Sequence, residues 1–148
     1  MPAAEIALAE IYRFDGFPVP RDVTLAMPWY EKAAESDAVS QTTLGQKYEF
    51  GDGDLFRPDH TSAARWYLRA AVQGFPPAER RVADTYSSGD GVPMDKAIAT
   101  QTYHKRDEWP ADVRLAITQF LCNGLDLNFA PKCLKAWLPK EISALQRK

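Results

Sequence analysis

Apolar and small residues along the chain keep the spacing of helices, and that spacing itself repeats. In one stretch Ser40, Leu44, Gly45 and Tyr48 fall at i, i+4, i+5 and i+8, one face of a helix on which a small residue lets a neighbour approach closely. Downstream, Ala63, Trp66, Tyr67, Ala70 and Ala71 stand at i, i+3, i+4, i+7 and i+8. That is a second helix with large aromatics beside alanine gaps, the pattern of two closely packed helices. Between them, Gly51-Asp52-Gly53 predicts the stop of the first helix, because glycine takes the left-handed backbone of a helix C-terminus. Pro58 predicts the restart, in the first turn where a missing N–H costs nothing, and Asp59 predicts a cap facing the positive end of the helix dipole. Gly89-Asp90-Gly91 repeats the stop; Pro20, Pro93 and Pro131 repeat the restart, with Asp22 and Asp95 as further caps. Gly74-Phe75-Pro76-Pro77 ends the second helix and turns into the next unit.

The whole block recurs. Leu8-Ala9-x-x-Tyr12 is followed by Asp22, Ala26 and Trp29-Tyr30; Leu44-Gly45-x-x-Tyr48 by Asp59, Ala63 and Trp66-Tyr67; Val82-Ala83-x-x-Tyr86 by Asp95, Ala99 and Thr102-Tyr103. The steps from 29 to 66 to 102 are 37 and 36 residues, and a further 35 reaches Trp137-Leu138. Four copies of a helix pair at a fixed period mean a stacked solenoid. An aromatic stripe is also what a sugar or peptide platform presents, but its recurrence in every unit is what a repeated core requires.

Composition leaves this picture intact: 148 residues, 45% hydrophobic and 26% charged, fit one soluble globular domain. No apolar stretch approaches the ~18 residues of a membrane span, so no membrane insertion is expected. Met1 stands almost directly before the first helix, which suggests a trimmed chain and leaves room for an export signal in the natural precursor. Net charge is −2, unevenly placed: residues 1–110 hold 12 Lys/Arg against 17 Asp/Glu, and residues 111–148 hold 6 against 3. An acidic solenoid does not support nucleic-acid binding. The basic end is either a means of orienting a charged partner or a solvated helical terminus.

The run Leu-Gly-x-x-Tyr, Gly-x-Gly, Asp, Ala, Trp-Tyr-x-x-Ala-Ala, Gly resembles the Sel-one-like repeat, a relative of the tetratricopeptide repeat. The resemblance implies an all-α fold: an α/α solenoid, a right-handed superhelix, with about three clear helix-pair repeats and one degenerate. It spans residues 3–138 as one domain, with units of about 3–38, 39–75, 76–109 and 110–138, and leaves 139–148 as a C-terminal helical tail. The copies also depart from the pattern. The first has Phe14-Asp15-Gly16-Phe17 in place of Gly-x-Gly, the third has Thr102 for Trp, and the fourth keeps mainly Phe120, Gly124 and Trp137. Weak terminal copies are expected of caps that face water on one side.

The resemblance further implies an adaptor or inhibitor that binds a protein partner, with no enzymatic activity and no cofactor. An apt role within that class is an immunity protein neutralising a secreted antibacterial toxin or lipase effector. The alternatives are a structural or regulatory subunit of an envelope assembly, and a hydrolase using the Asp-rich loops with His60. Independently, the residues contain no phosphate loop, nucleophile elbow or metal-spaced ligand set, and the Gly-Asp-Gly loops lack the alternating oxygens of a calcium site. His60 and His104 follow repeat residues and read as solvated or capping groups.

Candidate contacts come from positions that vary between copies while the packing positions stay fixed. Two residues before the repeat tyrosine stand Glu10, Gln46 and Asp84; one after it stand Arg13, Glu49 and Ser87. Arg80 and Arg81 join them, since arginine is favoured at the energetic centres of interfaces. Cys122 and Cys133 fall by register on facing helices of the fourth unit, so a disulfide is geometrically reasonable; it would contribute on the order of 2–3 kcal/mol. Family members with cysteine pairs that live outside the cytoplasm support the same pairing and point to the bacterial periplasm. Two reduced thiols in a cytoplasmic protein remain the alternative.

Overall fold

The computed structural model describes residues 1–14, 21–53 and 55–123. Among them are seven α-helices: α1 (Pro2–Arg13), α2 (Val23–Ala33), α3 (Ala38–Phe50), α4 (His60–Val72), α5 (Pro76–Ser88), α6 (Lys96–Thr102) and α7 (Ala111–Asn123). A single 3-10 turn, Arg106–Glu108, precedes α7. Consecutive helices pack pairwise, α1 on α2, α3 on α4 and α5 on α6, and α4 against α5 carries the stack from one pair to the next. The fold is an all-α helical-repeat solenoid.

Local chemistry sets the helix ends. Asp22, Asp59 and Asp95 each accept hydrogen bonds from two backbone N–H groups of the following first turn, satisfying donors the helix itself leaves open. Each also donates its own N–H to the carbonyl of the preceding repeat tyrosine, at 2.8 Å to Tyr12, 2.8 Å to Tyr48 and 3.0 Å to Tyr86. The recurring Tyr and Asp are thus two ends of one backbone bond that closes each helix pair. Gly89 ends α5 in the left-handed conformation at φ 79° and ψ 20°, whereas Gly51 ends α3 with a positive φ of 74° but an extended ψ of 163°, a combination that also favours glycine. The prolines differ from expectation. Pro58 and Pro93 stand outside the first turn, because the N-caps are Asp59 and Asp95, which follow them, and each helix begins only after its cap; Pro2 and Pro76-Pro77 occupy first turns instead.

Two apolar clusters fill the interior. The first joins Ala9, Ala26, Tyr30, Ala34, Leu44 and Phe56; the second runs from Ala63 and Tyr67 through Val82 and Tyr86 to Trp109, Val113 and Ile117. Of each Trp-Tyr pair only the tyrosine is fully buried: Tyr30 and Tyr67 are 2% exposed, whereas Trp29 and Trp66 are half-buried. Trp66 covers the edge of the core, with the Arg69 guanidinium 4.5 Å from its ring centroid. Phe56, in the α3–α4 loop, packs edge-on against Tyr30 and Tyr48 at 5.5 and 5.2 Å. Both polar side-chain atoms of buried Gln41 have a partner: its amide donates to Ala34 O at 2.9 Å and its carbonyl accepts from Gln73 at 2.7 Å, tying three helices together.

The pattern breaks in the third pair. α6 ends at Thr102, which is buried, and Tyr103 is 58% exposed instead of lying inside like Tyr30 and Tyr67. Trp109 fills the interior there, its indole N–H donating to His104 O at 2.8 Å. The second helix of the fourth unit with Trp137, the tail 139–148, and the Phe14-Asp15-Gly16-Phe17 loop beyond Phe14 lie outside the described residues, as does the Cys122–Cys133 pair: residue 122 is in the last turn of α7 with its side chain undescribed.

Candidate functional site

In each of the three described helix pairs a carboxylate on α1, α3 or α5 meets a tyrosine of the partner helix or, in the third, the tyrosine that caps it. Tyr30 donates to Glu10, Tyr67 to Glu49 and Tyr103 to Asp84, the last at 2.7 Å. Burial, reinforced by these acids, pushes the Tyr30 and Tyr67 hydroxyls well above the ordinary 10, so each remains a donor. The acids come from two registers, two residues before the repeat tyrosine in the first and third copies and one after it in the second.

Around the first of these bonds the charges close on themselves. Arg13 Nε donates to Glu10 at 2.8 Å and its Nη1 bonds Asp52; Lys47 Nζ lies 2.8 Å from Asp52 and 3.2 Å from Glu10. Burial alone would raise Glu10 and Asp52, yet Tyr30, Arg13 and Lys47 outweigh it at Glu10, and Lys47 and Arg13 at Asp52, so both carboxyls are held below their usual range. The Lys47 ammonium also sits 4.9 Å from the Tyr30 ring centroid. Glu10 and Arg13, expected as partner contacts, are therefore matched within the chain as a clasp between the first two repeats. Lys47 and Asp52 complete that clasp, and spacing alone does not single them out.

The second and third repeats meet at an open cavity of about 240 Å³ where Glu49, Arg81 and Asp84 converge with His60, Tyr67 and Asp90. Arg81 Nη1 approaches Glu49 at 3.5 Å, with its guanidinium 5.9 Å from the centroids of Phe50 and Tyr67. Gln46 and Ser87 are exposed on α3 and α5, and Phe50 is 67% exposed at the end of α3. Arg80, adjacent to Arg81 in sequence, lines a different cavity with Tyr103. The eight candidate residues thus divide into the Glu10–Arg13 clasp, the Glu49–Arg81–Asp84 cavity, the exposed Gln46 and Ser87, and the separate Arg80. Among the described residues no group of three His, Cys, Asp or Glu side chains could hold a metal ion, and no helix is long and apolar enough to cross a membrane.

A family model described as Sel1 repeat matches residues 2–37, 38–75 and 76–101. Chitin synthase regulator SKT5 of Saccharomyces cerevisiae is 32% identical over 106 residues, 71% of this chain and 15% of that protein. Chitin synthase regulatory factor 3 of Schizosaccharomyces pombe is 39% identical over 67 residues, 45% of this chain and 7% of that protein. The chain spans only those small fractions of the curated relatives it matches. Among solved structures, a Sel1 repeat protein from Oxalobacter formigenes is 29% identical with a TM-score of 0.59, covering 80% of this chain and 88% of that one. The c5321 protective antigen of uropathogenic Escherichia coli strains, which displays an SLR fold, is 25% identical with a TM-score of 0.55, covering 84% of this chain and 23% of that one.

Proposed function

The chain belongs to the Sel1 repeat family, whose members act in protein–protein interaction, and on that premise we propose that it is a non-catalytic adaptor that regulates one partner protein. The partner lies along the α3–α5 face, over the cavity formed by Glu49, Arg81 and Asp84. One observation carries this reading: the outward positions differ from copy to copy around a repeated buried frame, and at Gln46, Asp84 and Ser87 they are exposed. A generic scaffold with a particular face is what a dedicated binder needs. The face presents Phe50 beside Arg81, an apolar anchor next to a guanidinium, the residue types enriched at interface centres.

The names of both yeast relatives, a regulator and a regulatory factor of chitin synthase, support a partner enzyme that is regulated. Neutralisation of a secreted toxin makes the same demand on the surface, and only the resemblance supports it. Affinity capture from the source extract, with retained proteins identified by mass spectrometry, tests the proposal. One stoichiometric partner lost on replacing Gln46 and Ser87 supports it; an envelope enzyme favours the regulator, and a secreted toxin the inhibitor. A partner retained undiminished by that double variant rejects this face. A periplasmic location is part of the proposal and rests on Cys122 and Cys133; free thiols in natively produced protein would return it to the cytoplasm.

A further inference from the structure

The break at the end of the third repeat builds a second cavity, of about 530 Å³, between the α4–α5 turn and the segment that follows α6. Arg106 frames it. Its backbone N–H donates to the buried Glu79 carboxylate at 3.1 Å, its Nη1 to Val72 O at 2.8 Å, and its Nε and Nη2 to Asp107 Oδ1 at 3.0 and 2.6 Å. Arg106 is thereby spent on structure, and both acids at the cavity are bonded to it. Arg80 and Lys105 line the same space, are exposed, and have neither a hydrogen-bonding nor an ion-pairing side-chain partner among the described residues. Tyr103 forms a third wall, its hydroxyl held by Asp84.

Arg57 and Lys96 are exposed and likewise unpaired among the described residues, but only Arg80 and Lys105 share a cavity, within a stretch, residues 1–110, that holds 17 acids against 12 bases. An acidic ligand is repelled by most of that surface and drawn to this cavity. We propose that the cavity takes the carboxylates of an acidic peptide segment of a protein partner. The Arg80 fork suits a carboxylate in two-point contact, and Lys105 supplies a second positive charge. The methylene stems of both residues and the Tyr103 ring give the peptide an apolar wall. The proposal rests on the protein-binding reading above but uses a different surface from the α3–α5 face. Among the described residues the repeat pattern explains why the site falls at this junction: Tyr30 and Tyr67 are buried at the corresponding places, and here a turn bearing Lys105 follows the short α6.

A fluorescein-labelled hexaglutamate peptide, titrated against the full chain by fluorescence anisotropy at low ionic strength, tests it. Saturable binding is expected, weakened by salt and by about tenfold or more in the Arg80→Gln/Lys105→Gln variant, each charge-assisted contact being worth roughly that much. The Gln46→Lys/Ser87→Lys variant, altered on the other face, is expected to bind the peptide as the parent does. Circular dichroism melts establish that both variants fold. No saturable binding by the parent, or equal binding by the Arg80/Lys105 variant, overturns the proposal. Peptide binding without capture of a natural partner counts against the α3–α5 face and leaves this cavity standing; capture without peptide binding does the reverse.

Discussion

Tyr67 shows how one side chain is bound by both packing and polarity. Its ring lies against Gly45, where a Cβ would come within 2.7 Å of Tyr67 Cε1, and its hydroxyl is committed to Glu49. Tyr67→Phe removes the donor and leaves a half-buried carboxylate bonded only to Arg81, for an expected loss of about 1–2 kcal/mol in a denaturant melt. Gly45→Ala sets a helix-propensity gain of about 1 kcal/mol against an overpacking cost of about 1–3 kcal/mol. The pinned ring makes the cost win, so a lower melting temperature is expected; a higher one would mean that the ring yields. Trp66→Ala is expected to destabilise less than Tyr67→Ala, since the indole is only half-buried. The period made both aromatics look equally internal, because positions three and four residues from Ala63 share a helix face and only the neighbouring helix decides which is covered.

At the scale of elements, what was legible in the sequence is what is local. The aspartate caps and glycine stops act within a few residues of themselves, so their spacing sufficed to place six helix ends. The clasp was not legible, because Arg13 and Asp52 are 39 residues apart and meet only once two repeats are stacked. Its energetics carry a definite pH dependence. Glu10 and Asp52 have their folded values held below the ordinary 4.5 and 3.8, so their contribution is present above those values and is lost as pH falls through the lowered folded ones. Melting temperature is therefore expected to drop as pH is taken from about 5 to about 3, and to drop less steeply in a Glu10→Gln/Asp52→Asn variant. Asp22 and Asp59, lowered by their capping bonds, keep a residual slope in that variant. Equal slopes in the two proteins would show that the clasp is not coupled to folding.

For the molecule as a whole, the repeat fixes a frame and leaves its surfaces free to differ. The frame is set by residues that recur, and a chain can be compared with itself to find them; a binding face is set by residues that do not recur, and self-comparison marks only where it is allowed. That is why the same two registers yielded both clasp residues, Glu10 and Arg13, and exposed ones, Gln46, Asp84 and Ser87. The distinction sharpens the decisive test. Reversing Glu10 to Lys would place three cations about Asp52 and strip Tyr30 of its acceptor, so lost binding in that variant would report lost folding. Gln46→Lys/Ser87→Lys alters only exposed positions and gives up no side-chain bond, and such changes are expected to shift stability by less than about 1 kcal/mol. A variant limited to Gln46→Lys/Ser87→Lys, which leaves the Asp84 bond to Tyr103 and the Arg80–Lys105 cavity intact, places recognition on the α3–α5 face if it melts with the parent yet fails to retain the captured partner. One that melts with the parent and retains it undiminished moves recognition off that face.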